Sequence, residues 1–439
     1  MYLKGSKWSM NKRRRPFNYF KIFFLLSLIG FGVYFSLYIS PSVQQSFLPT
    51  PTPTKPPETY IAEAEQAFNE GKLLQAIELY KEANAMNPSD PSIYTALART
   101  QVWAGKYPEA QADAENALLL NPDNSTAHAV RGWALSAQKD YLAAETSLKR
   151  ALELDPNNAL AHAYYSEFLT DQYLEGLGGL DIIDKMSEES RIALSLAPGL
   201  FEAHRARGYV FEATGNNAEA INEYESAATI QKNLSDIYLS LGRVYRASQV
   251  NDKAVNALTV ANQLNPSDPN PLLIISRIYA NIGENAKAEQ YAQQAMKISP
   301  MDPNLRGNLG VMLYKNFKWE LAAAELALVV NGGTDAEGNV VEKLELVADS
   351  LRIPEYYFTF GLTLVKIDRC GEAIPIFYKI IDTVAPTDEI SLYNANEGIR
   401  LCTEKVNATP SEPAVEGDLT PAIETETALP ATLTPTPAQ

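Results

Sequence analysis

From about Glu58 to Pro386 the apolar residues of this chain recur at helical spacing, in paired stretches separated by short polar turns. Between Ser92 and Pro122, Ile93, Tyr94, Leu97 and Ala98 form one stripe. Gly105-Lys106 marks a turn, and Ala110, Ala114, Ala117, Leu118 and Leu120 form the second stripe. Asn121-Pro122 closes it, because proline lacks an N–H and biases its predecessor away from the helical region. Asn87-Pro88, Asn121-Pro122 and Asp155-Pro156 lie 34 residues apart, as do Asn265-Pro266 and Ser299-Pro300. Small residues keep fixed registers. In the second helix they are Ala110 and Ala117, then Ala144 and Ala151, Ala220 and Ala227, Ala254 and Ala261, and Ala288 and Ala295. Gly132, Gly208, Gly242, Gly310 and Gly361 share one register of the first helix. Glycine there costs about 1 kcal/mol against alanine, so close helix packing must compensate.

One full unit reads Tyr238, Leu241, Gly242, Tyr245, Ala254, Ala261 and Pro266. That pattern, at this period, resembles the tetratricopeptide repeat. Nine such units fit between Glu58 and Pro386, about three quarters of the chain. The resemblance implies an all-α fold: a right-handed α-solenoid of helix–turn–helix units whose first helices line a concave groove that grips peptides or extended segments. Three places depart from the pattern. The fourth unit carries eight extra residues around 175–181, and a longer insertion fills 331–352. Lys232 stands where the fifth unit should close with proline, which predicts a softer boundary. Within the second insertion, Val340-Val341 and Leu344–Leu346 are expected to pair as a short hairpin.

The N-terminal end breaks the rhythm. Residues 22–39 carry no charge and are apolar all round, a span of about 27 Å as a helix, enough to cross a bilayer. Lys12, Arg13, Arg14 and Arg15 precede it and no charge follows until Lys55, which orients the N-terminus to the cytoplasm and the rest outside. The alternative is a cleaved signal peptide, which lacks a small-x-small site here. The expected organisation is a basic segment 1–21, a transmembrane helix 22–39, a Pro/Thr-rich linker 40–57, a solenoid with a capping helix 58–406, and a disordered Thr/Pro/Glu-rich tail 407–439.

Residues 1–57 hold eight Lys/Arg and no Asp/Glu, so the remainder sets 29 basic against 53 acidic residues. A body so acidic repels nucleic acid. Cys370 opens the second helix of the ninth unit, and Cys402 lies near the end of the next helix, which should return beside it. They form either a disulfide across the terminal cap, as an extracytoplasmic setting allows, or two buried thiols.

His128, His162 and His204 fall at one register of consecutive units. Equivalent residues of stacked helices lie about 8–10 Å apart, too far to share a metal ion, so these are packing residues and no metal or cofactor is implied. Asn331–Asn339 lacks the carboxylate order of a calcium loop, and Gly176, Gly178 and Gly179 follow no strand. No nucleophile–base or metal-protease constellation appears, so catalysis is not expected.

Projecting the inner-helix register through the units puts Arg99, Trp133, Glu167, Tyr209, Arg243 and Arg277 in a row, with Trp103, Tyr164, Arg205 and Arg246 facing the same way. Arginine and aromatic residues gathered on one face of an acidic protein point to a partner-binding groove. The plainer account is a mixed solvent-facing surface. The expected role is a non-catalytic scaffold on the extracytoplasmic side of a membrane, single-pass, holding a protein or peptide segment in that groove. The alternative is a small-molecule sensor or transport accessory protein.

Overall fold

The computed structural model describes residues 18–39, 55–348, 350 and 352–407. Most of the basic segment, most of the Pro/Thr-rich linker and the tail after Asn407 lie outside the described residues. Two units are distinct, Met1–Pro56 and Pro57–Gln439.

In the first unit α1 runs Tyr19–Tyr34 and continues as a π-helical turn, Phe35–Ile39. The ladder starts before the expected Ile22, because the Lys21 and Ile22 amides both donate to the Asn18 carbonyl, at 3.0 and 3.3 Å. Tyr19–Leu37 is long and apolar enough to span a membrane, and its side chains are exposed among the described residues.

The second unit is a solenoid of nine helical hairpins. They are α2 Pro57–Asn69 with α3 Leu73–Met86, α4 Pro91–Trp103 with α5 Tyr107–Leu120, and α6 Ser125–Ala137 with α7 Tyr141–Leu154. Next come α8 Ala159–Leu174 with α9 Ile182–Leu196, α10 Phe201–Ala213 with α11 Asn217–Ile230, and α12 Ser235–Ala247 with α13 Asn251–Leu264. The last are α14 Asn270–Asn281 with α15 Asn285–Ile298, α16 Pro303–Lys315 with α17 Trp319–Asn331, and α18 Ile353–Lys366 with α19 Cys370–Thr383. A final helix, α20 Glu389–Asn407, covers the end.

The paired alanines explain why consecutive helices approach so closely. Ala110, Ala117, Ala144, Ala151, Ala254 and Ala261 are all fully buried. The inner-helix glycines meet a large side chain of their own hairpin partner. A Cβ on Gly242 would lie 2.4 Å from Leu258 Cγ, and one on Gly361 would lie 2.5 Å from the Phe377 ring. Asn124 and Asn158 cap α6 and α8 by accepting from the Ala127 and Ala161 amides, each at 3.1 Å.

The extra residues of the fourth unit lengthen α8 to 16 residues, against 13 in α6, and widen the turn before α9. In the second insertion the expected pairing is corrected. Val340-Val341 pairs antiparallel with Gly333-Thr334, not with Leu344–Leu346. Asp335 decides this, since its carboxylate accepts from the Glu337 and Asn339 amides at 3.0 and 2.8 Å and forms the turn. Arg306, buried on α16, ties the same carboxylate to the solenoid and also pairs with Glu325 at 2.8 Å. Leu346 is instead buried against the eighth and ninth hairpins.

The solenoid winds tightly enough to touch itself. Asn233, in the turn between α11 and α12, donates from Nδ2 to the Asn69 carbonyl of the first hairpin at 2.7 Å. Gln231 donates to Asn69 Oδ1 at 3.3 Å. Gly71 sits at φ +75°, and a Cβ there would fall 2.2 Å from the Asn233 carbonyl oxygen. The turn that lacks its proline therefore serves as the docking point for the first hairpin.

Candidate functional site: the concave face

The inner helices bring most of the projected row together. α4 supplies Arg99 and Trp103, α6 Trp133, α8 Tyr164 and Glu167, α10 Arg205 and Tyr209, and α12 Arg243 and Arg246. α14 supplies Arg277. Aromatic rings run across the turn of the solenoid. Trp133 stacks on Tyr164 with centroids 4.2 Å apart, meets Trp103 edge-on at 4.7 Å, and Trp103 lies 5.2 Å from Phe201. Phe68 of the first hairpin reaches Phe201 at 6.4 Å.

Carboxylates hold most of the arginines. Arg99 donates from Nε to Glu202 Oε1 at 2.8 Å, and Glu202 is fully buried. Arg205 bridges Glu167 and Asp236, the latter at 2.7 Å, with its guanidinium 5.0 Å from the Trp103 ring centre. Arg243 pairs with Glu212 at 2.8 Å. Tyr209 donates to Asp171 at 2.7 Å. Burial pushes the Glu167 carboxyl up to about 7 in spite of Arg205. A recess of about 440 Å³ remains among the second to sixth hairpins, bordered by Tyr107, Trp133, Glu167, Asp171, Tyr209 and Arg243. Arg246 and Arg277 lie farther along, outside this network.

The partners Glu202, Glu212 and Asp236 are absent from the projected row, although spacing carries a signal for two of them. Arg205 and Asp236 are 31 residues apart, as are Glu212 and Arg243. That interval is one repeat less nearly one helical turn, so it faces side chains across adjacent inner helices.

The three histidines each place Nε2 3.0 Å from a proline carbonyl six residues earlier, those of Pro122, Pro156 and Pro198. An N–H at Nε2 makes that contact a hydrogen bond, and each ring braces the turn before its helix. His162 Nδ1 lies 2.5 Å from Glu189, and His204 Nδ1 2.7 Å from Glu223. Burial works against protonation of His162, but Glu189 and the Pro156 carbonyl raise its pKa; Glu223 raises that of His204. His128 has no acid at Nδ1, and burial lowers its pKa. At the far end, Cys370 and Cys402 form a disulfide with Cα atoms 5.5 Å apart. It ties α20 to the ninth hairpin, helped by Lys405 Nζ donating to the Val365 carbonyl at 2.7 Å.

The tetratricopeptide-repeat family matches residues 67–134 in one stretch, and residues 125–158 and 271–301 in two others. Over those stretches the chain carries tetratricopeptide repeats. No curated protein matches it in sequence. Among solved structures it resembles the human IFIT1 dimer with m7Gppp-AAAA at 18% identity and a TM-score of 0.51, over 83% of this chain and 85% of that one. Yeast Tom70 aligns at 13% identity and TM-score 0.40, over 80% and 96% of the two chains. Pseudomonas aeruginosa pilF aligns at 18% and 0.37, over 52% and 97%. At these identities the human protein shares the solenoid fold and nothing more is carried over. Tetratricopeptide repeats are protein-interaction modules, and they support a scaffold role for this chain.

Proposed function

We propose that this chain is a non-catalytic scaffold, anchored by α1 with its solenoid on the extracytoplasmic side, that holds a protein segment against its concave face. The observation that carries the binding role is the recess among the second to sixth hairpins. It is bordered by Tyr107, Trp133 and Tyr209 and by carboxylates and arginines already positioned by one another. Large rigid rings beside fixed polar groups are what a bound segment needs for affinity and register. The lining is too polar for an apolar small molecule, which sets that form of the sensor or transport-accessory role aside. The non-catalytic role rests on the repeats themselves.

The topology rests on two features. One is the apolar stretch Tyr19–Leu37. The other is the excess of Lys and Arg on its N-terminal side, with no acid before residue 58. A disulfide at the cap fits an oxidising compartment. Protease added outside intact cells should release the repeat body as one resistant fragment. Complete protection until the membrane is opened would contradict the topology.

A further inference from the structure

Arginines in this solenoid follow a rule. Eleven of the thirteen described arginines lie within salt-bridge distance of a carboxylate, which isolates the two that do not, Arg246 and Arg277. Both are half-buried on inner helices. Arg277 meets only neutral acceptors among the described residues, Asn308 Oδ1 at 3.2 Å and the Tyr356 hydroxyl at 3.3 Å. Arg246 makes no hydrogen bond or ion pair with any described residue.

Their spacing makes this more than chance. Residues 31 apart face each other across adjacent inner helices, as Arg205–Asp236, Glu212–Arg243 and Arg277–Asn308 do. Arg246 and Arg277 are also 31 apart. At the interval where the neighbouring rungs set a cation against an acceptor, this rung sets cation against cation. Burial, then the like charges of Arg277, Arg352 and Arg243, pull the Arg246 guanidinium below its ordinary range, against a smaller opposing effect of Glu212, which is itself paired with Arg243. Two like charges partly withdrawn from water cost stability unless an anion joins them. Elsewhere in the solenoid the anion is built in.

We propose that the Arg246–Arg277 rung is the anchor point for a partner's acidic segment, whose carboxylate completes the missing ion pair. This rests on the concave face being the binding surface and assigns the chemistry of what binds there. Guanidinium groups suit carboxylates because each can donate two parallel N–H bonds to one group. The arginines that border the recess, Arg205 and Arg243, are already paired with carboxylates, so the uncommitted guanidinium charge of the concave face lies here.

The test uses the full chain in detergent and a fluorescein-labelled hexaglutamate peptide, followed by anisotropy. The wild type should bind it, more weakly as salt rises. R246E should bind at least tenfold more weakly while its melting temperature holds or rises, because the introduced carboxylate would pair with Arg277 in the empty protein. R246Q should lose binding with a smaller gain in stability than R246E, since it removes the like-charge repulsion but supplies no new ion pair. Absence of wild-type binding, or equal binding by R246E, would overturn the proposal. So would binding that appears only after residues 408–439 are removed, since the chain's own acidic tail would then be the occupant. If a partner captured in cells from the concave face is captured equally by R246E, the acidic-segment assignment fails while the groove function stands.

Discussion

His128, His162 and His204 occupy one repeat register but do not share one chemistry. The ring of each braces a turn through a proline carbonyl, and the difference lies in what faces Nδ1. An acid there favours imidazolium. Because Glu223 raises the His204 pKa above its unfolded value, the stability this pair contributes is fully present below about pH 6.5. It is lost as pH rises through the folded value. Melting temperatures of wild type and H204Q should therefore differ more at pH 5.5 than at pH 8.5, where only the contact with the Pro198 carbonyl separates them; a gap that widens with pH would show the sign to be wrong. The shared register was legible in the sequence because it depends only on counting. The Glu189 and Glu223 partners were not, since they come from the second helix of each hairpin at intervals of 27 and 19 residues.

Hairpins were readable because each is local. A helix, a turn and a second helix lie within one repeat, and their apolar stripes and small residues sit where their packing requires. Contacts that join distant hairpins escaped this logic. Asn69 and Asn233 are 164 residues apart, and their hydrogen bond depends on the rotation accumulated over several units. That closure turns part of the projected row inward, so Arg99 and Tyr164 are packed against Glu202 and Trp133. The missing proline at Lys232 is visible in the sequence, but that it marks a contact with the first hairpin is not.

The terminal cap is the other element on which stability turns. Solenoids fray from their ends, and here the last helix is tethered covalently. A cross-link closing a loop of 32 residues should contribute about 3–4 kcal/mol in the chain-entropy account. C370S/C402S, or reduction of the wild type, should therefore raise amide exchange in α20 and α19 while leaving the first six hairpins unchanged. Uniform destabilisation along the whole solenoid would contradict a local role for the bridge.

At the scale of the molecule, the concave face of the solenoid is not a uniform surface. Its N-terminal portion is knitted together by aromatic contacts and ion pairs, its middle holds an open recess, and Arg246 and Arg277 lie beyond that recess with no carboxylate of the described residues within ion-pair distance. Such a gradient suits a scaffold that keeps one stretch rigid and offers the next to a partner. The proposed anchor and linker would supply reach above a membrane, a role the repeats themselves do not encode.

The central claim is that a protein segment lies on the concave face. The most direct measurement places a photocrosslinking residue at Ala137, exposed at the edge of the recess, and a second at Leu119, 81% exposed on α5. After illumination of intact cells, Ala137 should give a discrete protein adduct and Leu119 none. An adduct from Leu119 alone, or equal adducts from both positions, would contradict the account.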